Sequence, residues 1–307
     1  MTKMKTTEKE SLPKAFGLCL LAYILALIAA MWVGFVLVDR LHPILMTFVA
    51  DVAATLVIYV FSCVFKNASF YDPYWSVAPI AIAVCWMVIS ESINVVTLRQ
   101  AIVSSLVLIW GLRLTYNWAR QWYGLSHEDW RYSDLRKQNP RFFWLTNLIG
   151  IELVPTTVVF LGCLSLYPAL SSGFNPFGFF DVIGILITFS AILIETVADE
   201  QLQRFLKNEK TARQTLSSGL WAHSRHPNYF GEISFWWGLY FFSLAADLSY
   251  WWTIIGPIGI TLLFIFVSIP MMEKHLSRRL GYAEYQQKVS KLVPWFSRKL
   301  TTAHNFH

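Results

Sequence analysis

Residues 224–232 read SRHPNYFGE and set Arg225, His226, Asn228, Tyr229 and Glu232 just before the aromatic run ISFWWGLYFF. Pro227 fits the first position of a helix, where its missing N–H costs nothing, and it holds the residues before it extended. Asn228 and Tyr229 then project from a helix end with unpaired backbone amides and partial positive charge. Gly231 permits close approach of another backbone. Such an end suits the amide and phosphate groups of a nucleotide cofactor. Neither a GxGxxG nor a Walker sequence occurs, so neither a Rossmann domain nor a P-loop is indicated.

Other polar groups interrupt apolar runs, where each ionisable side chain costs roughly 2.5–3.5 kcal/mol on insertion scales unless paired or wet. In ETVADEQLQRFLK, Glu195 and Asp199 are four apart on one helix face, and Gln203 and Lys207 continue it. The stripe could hydrogen-bond a long polar ligand or be a frayed, solvated helix end. In WGLRLTYNWAR, Arg113, Tyr116, Asn117 and Arg120 fall within two turns, with Arg113 and Arg120 on the same face. Two guanidiniums suit phosphates, because the planar fork binds oxygens in pairs at any pH. They could equally pair with Glu152, Glu195 or Asp199. Asp51 opens a new apolar run and reads as a structural residue near an interface. In HEDWRYSDLRKQNP, Arg131 and Tyr132 would be the working residues of a lid over an anionic cofactor. YDPYWS places Asp72 between two tyrosines; Tyr71, Tyr74 and Tyr116 are the phenols suited to proton donation.

The elements that must position these groups are membrane helices. Of 307 residues 55% are apolar and only 14% charged, against about a quarter charged in a soluble domain. Eight apolar segments can be drawn, at 13–38, 42–65, 75–90, 98–118, 144–170, 180–200, 228–246 and 251–272. They lack the alternation of a transmembrane barrel, so an all-α polytopic protein of about eight spans is expected. The stretch after the N-terminal MTKMKTTEKESLPK is too long for a signal-peptide core and reads as the first span. The third and seventh segments are short for a bilayer. With eight spans, 22 of the 25 basic residues gather on one side and only Arg40 and Arg99 on the other. The positive-inside rule then puts both termini in the cytoplasm. This placement of the basic residues points to membrane topology and away from nucleic acid. Four cysteines lie inside the runs without paired spacing, so neither a metal site nor a disulfide framework is indicated.

HSRHPNYFGE, preceded by SSGLW, resembles the C-terminal region of the steroid 5-alpha-reductase and sterol reductase superfamily, closest to its bacterial, DUF1295-type branch. ETVADEQLQRFLK, YDPYWS, WGLRLTYNWAR with EDWRY, and the closing EKHLSRRLGYAEYQQKVSKLVPWF resemble further signatures of that family. The resemblance covers roughly residues 60–297. It implies residues 1–65 as N-terminal helices ahead of a reductase-like membrane domain at 66–307, the whole forming one compact unit. It implies NADPH bound in a cavity open to the cytoplasm, in a bacterial inner membrane, and reduction of an activated carbon–carbon double bond in a lipid or steroid-like enone. Asn228 and Glu232 would then order the nicotinamide end. Tyr229, Asp199, Glu195, Lys207 and Arg225 or His226 would line the cofactor. Arg113 or Arg120 and Arg131, with Tyr132, would meet the phosphates, and His275 and Arg279 would complete the pocket. The proton donor would be a phenol bonded to a carboxylic acid; Asp72 with Tyr74, or Tyr116, are the substitutes here for that family's early-span acid. Isoprenylcysteine carboxyl methyltransferases share an RHPxYxG motif and would imply S-adenosylmethionine instead. A non-catalytic sterol-binding protein is the third expectation.

Overall fold

The apolar runs become helices because a bilayer offers no partner for backbone N–H and C=O groups, so each segment satisfies its own. The computed structural model describes residues 12–90, 97–173, 175–208 and 214–296. In chain order the helices are α1 (Leu12–Leu37), α2 (Pro43–Val64), α3 (Tyr74–Val88), α4 (Leu98–Ala119), α5 (Trp130–Gln138), α6 (Phe143–Ser172), α7 (Phe179–Lys207), α8 (Pro227–Ala246), α9 (Leu248–Leu276) and α10 (Tyr282–Lys288). By length and composition, α1, α2, α4, α6, α7 and α9 are the six candidate membrane spans among the described residues. The described residues are all-helical, and these six apolar helices mark an integral membrane protein. The expected third and seventh segments form α3 and α8, which do not belong to those six. The expected placement of both termini falls on residues 1–11 and 297–307, outside the described residues.

Packing is densest between α7 and α8, and small residues make it so. A Cβ on Gly238 would lie 2.2 Å from Thr188 Oγ1, and one on Gly231 2.9 Å from Glu195 Cβ. Beside this seam Trp110 of α4 stacks on Phe235 of α8, with centroids 4.4 Å apart and planes within 9°. α1 packs by a stripe of small buried residues, Ala15, Cys19, Ala22 and Ala26, flanked by Phe16, whose ring meets Trp118 and Trp122, and Tyr23, whose hydroxyl donates to the Phe70 carbonyl.

Among the described residues three π-helical stretches interrupt the long helices, at Asn147–Leu153, Pro168–Ser172 and Phe264–Ser268. Pro168 opens the second, and Pro155 and Pro270 lie two residues beyond the first and third. A proline in a helix removes a donor and crowds the carbonyl four residues back, which favours a locally widened turn.

At the end of the bundle where α4 begins, Arg99 forks onto Asp181, with Nε and Nη2 2.7 and 2.8 Å from the two carboxylate oxygens. Its other donors reach the carbonyls of Asn175, Pro176 and Ala245. The sequence counts Arg99 among the far-side basic residues, at the edge of the 98–118 segment; it lies buried in the first turn of α4, tying α4, α7 and the end of α8 together.

The 15-residue length of α3 also has a structural cause. After α2 the chain turns inward, and Asn67, Ala68, Ser69, Phe70 and Tyr71 are all buried. α3 therefore starts below the end of α2: its first residue, Tyr74, bonds Asp51, 13 residues and about 20 Å before the last residue of α2. The 121–129 segment roofs this descent. Asn67 Nδ2 donates to the carbonyls of Leu125 and His127, Ala68 N donates to Glu128, and Asp129 N donates to Ser69 Oγ.

Candidate active site

α4, α7 and α8 bring the first group of expected residues together. Arg113 and Asn117 are one turn apart on α4, facing Glu195 and Asp199, one turn apart on α7. The Arg113 guanidinium lies 2.6 Å from Glu195 Oε1 and 2.8 Å from Asp199 Oδ2. Asn117 donates to the same Asp199 oxygen at 3.1 Å, and Asn228 donates to the other at 3.3 Å. Of the pairings open to Arg113 in the sequence, these two carboxylates are the ones it meets. Arg120 donates to Glu200 and to Asn117, each at 3.0 Å. The amide oxygen of Asn228, at the start of α8, is buried without a hydrogen-bond partner.

Glu232, one turn further along α8, is buried and accepts three indole N–H groups. Trp75 (3.2 Å) and Trp236 (2.9 Å) donate to Oε1, and Trp110 (3.0 Å) donates to Oε2. Both oxygens are thus engaged by the protein. Its place beside Glu195 depends on Gly231, whose missing side chain lets α8 lie against α7.

The RHP segment is held by the closing segment. Arg225 N donates to Ser290 O, Ser224 Oγ to Leu292 O, Trp295 N to His223 O and Tyr285 OH to Trp221 O. The Arg225 side chain meets Glu273 at 3.0 Å and Gln286 O at 3.0 Å, leaving its buried Nε unpartnered. His226 lies flat against Tyr229, with planes within 8°, and its Nε2 is 3.4 Å from Glu273. Burial pushes the His226 imidazole down, against the pull of Glu273. His275 stacks on Trp130 of α5 at 4.0 Å. Arg279 is half-buried, with no acidic partner among the described residues, and burial pushes its guanidinium down. Lys207 ends α7 exposed.

Asp72 does not pair with Tyr74. Its Oδ1 accepts the Tyr132 hydroxyl at 2.6 Å and lies 3.6 Å from Arg131, whose main partner is Asp129 at 2.8 Å. The lid residues of the sequence reading lie in the first turn of α5 and tie it to the YDPYW turn. Burial pushes the Asp72 carboxyl up to about 6, against the attraction of Arg131. Asp129 is held below the usual carboxylate range: burial works the other way, and Arg131 outweighs it.

The carboxyl that meets Tyr74 is Asp51, at 2.6 Å, and both side chains are buried, 6% and 5% exposed. Asp51 therefore lies inside the bundle and not at an interface. The reason is the inward turn after α2, which nothing in the local sequence announces. Tyr116 is 66% exposed, with Arg120 over its ring, and has no carboxylate partner among the described residues. Of the expected phenols, Tyr74 is the one a carboxyl holds. Tyr74 and Trp75 are adjacent at the start of α3 and so point about 100° apart. One faces Asp51 and the other faces Glu232, which joins the α2 side of the bundle to the α4–α7–α8 cluster.

Residues 58–289 match the family described as "Protein of unknown function (DUF1295)". The chain belongs to that family. The DUF1295 match takes in the YDPYW turn, the α4–α7–α8 cluster, the RHP segment and most of the closing segment. This DUF1295 chain is also 26% identical over 252 residues to "Uncharacterized protein C594.04c" of Schizosaccharomyces pombe, an alignment covering 75% of this chain and 73% of that protein. No solved structure matches it significantly.

Proposed function

We propose that this protein is a membrane-embedded reductase that uses NADPH to saturate an activated carbon–carbon double bond in a lipid-like enone. The observation that carries the reading is the Tyr74–Asp51 pair, a phenol held 2.6 Å from a carboxyl inside a membrane bundle. A buried acid–phenol pair is costly to keep among apolar helices unless it acts on something. The pair is also the arrangement expected of the steroid 5-alpha-reductase superfamily, to which the motifs of this chain bear their resemblance.

The residues fit the cofactor. Asn228 keeps a buried amide oxygen unpartnered at the positive end of α8. Arg225 keeps an unpartnered Nε, and Arg279 has no acidic partner among the described residues. Asn228 would take the amide end; Arg279 and Lys207 would take the phosphates. Arg113, Arg120, Arg131 and Arg225 are each engaged by a carboxylate and would position other groups around them. NADPH supplies, when bound, a hydride for the β-carbon of the enone. Tyr74 donates its proton toward the oxygen on which negative charge develops, and Asp51 holds the hydroxyl in place and shares the proton. Glu232 fixes the three indoles that wall this region.

The reading includes the finer topology: α3 and α8 complete eight spans, both termini face the cytoplasm, and the cofactor site opens there from a bacterial inner membrane. It also treats residues 66–307 as the reductase-like part and residues 1–65 as helices packed onto it.

The test is calorimetric titration of the purified protein with NADPH, NADH and S-adenosylmethionine, followed by enone turnover. Saturable binding of NADPH is expected, with Tyr74→Phe and Asp51→Asn each lowering turnover about 100-fold while cofactor affinity is kept. Binding of S-adenosylmethionine alone would make the protein a methyltransferase. Binding of neither would leave a non-catalytic lipid-binding role.

A further inference from the structure

One buried acid has no place in that chemistry. Glu152 is fully buried in the π-helical turn of α6, receives the Asn147 amide at 3.2 Å and has the Ser62 hydroxyl beside it. Its Oε2, Asn147 Oδ1 and the Oγ of the nearby Ser62 are buried without hydrogen-bond partners. No arginine or lysine meets Glu152 among the described residues. Ionisable groups inside a bilayer commonly mark ion or proton pathways, and widened helical turns often occur at functional sites.

One turn along the same face of α6, Thr156 begins a chain of hydroxyls. Thr156 Oγ1 is 2.8 Å from Tyr71 OH and 2.9 Å from Thr55 Oγ1. Thr55 Oγ1 is 3.0 Å from the Asp51 carbonyl oxygen, which the Tyr74 hydroxyl also meets at 2.9 Å. Thr55 donates to that carbonyl, so it accepts from Thr156, which in turn accepts from Tyr71; each hydroxyl has one proton to give. All donors therefore point from Tyr71 toward Asp51 and Tyr74. Tyr71 bonds Thr156, and Glu152 lies one turn before Thr156 on the same helix.

We propose that Glu152, Tyr71, Thr156 and Thr55 form a proton path that recharges the buried Tyr74–Asp51 pair. The proposal rests on the reading of that pair as the proton donor. Once Tyr74 has given up its proton, burial separates it from bulk water. Thr55 then swings its O–H from the Asp51 carbonyl to the Tyr74 oxygen and takes a proton from Thr156. Thr156 takes one from Tyr71, and Tyr71 takes one from the Glu152 carboxylic acid through an intervening water. Glu152 regains its proton from water at the nearer end of α6. In each hop one O–H bond forms as another breaks, so the net change is one proton moved inward with no electron transferred.

The path can be read without substrate. Full-length protein in nanodiscs of phosphatidylethanolamine and phosphatidylglycerol is moved from H₂O to D₂O, and carboxylic-acid C=O bands are followed by infrared spectroscopy. Glu152→Gln and Asp51→Asn identify the two bands. Thr156→Val should slow exchange of the Asp51 band by about tenfold or more, leave the Glu152 band unchanged, and be reversed by Thr156→Ser, which restores the hydroxyl. Glu152→Gln should slow the Asp51 band by a similar factor. The path is overturned if no acid band is lost in Glu152→Gln, or if Asp51 exchanges at the wild-type rate in both Thr156→Val and Glu152→Gln. Because exchange is measured without turnover, a protein that fails to reduce enones can still show the path. A working reductase with unaffected exchange would remove the path alone.

Discussion

His226 shows how one residue's setting becomes a pH dependence. It is buried against Tyr229, and burial pushes its imidazole below the ordinary 6.5, with Glu273 opposing. The folded protein then binds fewer protons than the unfolded one in the window just below 6.5. This contribution to stability is complete above that value and is lost as pH falls through the lowered folded value. Thermal unfolding in detergent should therefore show a midpoint that falls between about pH 7.5 and about pH 5, with part of the slope missing in His226→Gln. Identical slopes in the two proteins would mean that His226 is solvated in the native state. The Pro that follows His226 made it readable as a helix-start residue; its stacking on Tyr229 and its contact with Glu273, 47 residues away, were not.

At the scale of elements, the seam between α7 and α8 determines whether the site exists. Gly231 brings the α8 residues Asn228 and Glu232 onto the α7 face that carries Glu195 and Asp199. A Cβ there would lie 2.9 Å from Glu195 Cβ and 3.0 Å from the Ala191 carbonyl, so Gly231→Ala must part the two helices. The expected cost is about 1–3 kcal/mol, seen as a lowered unfolding midpoint together with weaker cofactor binding. Gly17→Ala in α1, where nothing lies within 4 Å of the added carbon, should be neutral or mildly stabilising and serves as the control. Equal midpoints for the two variants would show that the seam yields without loss. The spacing of Glu195 and Asp199 was legible because a helix repeats every 3.6 residues. Their partner Arg113, one of several the sequence left open, is selected only by the packing of α4 against α7.

For the whole molecule, polar anchors hold the two ends of the bundle. Arg99 and Asp181 fasten the end where α4 and α7 begin, and the Arg113 cluster fastens the other ends of the same helices. Removing one partner of a buried pair leaves the other unpaired, and Arg99→Ala would also strip a donor from the carbonyls of Asn175, Pro176 and Ala245. A loss of about 3–5 kcal/mol is expected, measured by equilibrium unfolding in mixed micelles. A variant as stable as wild type would show that water enters this end and that the pair is solvated. Because the pair lies at the far end from Asn228, cofactor affinity in the surviving folded fraction should be unchanged.

Composition and run length alone determined that this is a helical membrane protein, since few charges and long apolar stretches leave no other way to satisfy the backbone. The same reading located every segment that becomes a long helix and singled out the RHP, ETVAD, WGLR and YDPYW stretches, because helix spacing and proline chemistry act over a few residues. Tertiary structure alone decided which acid meets which base. Asp51 reaches Tyr74 only because residues 67–71 turn into the bundle, and Asp72 meets Tyr132 only because the start of α5 closes over that turn. Thr55, Thr156 and Glu152 line up with Tyr71 only where α2 and α6 pack. Such contacts join residues 20 to more than 100 positions apart, and no local pattern of side chains records which helix will lie beside which.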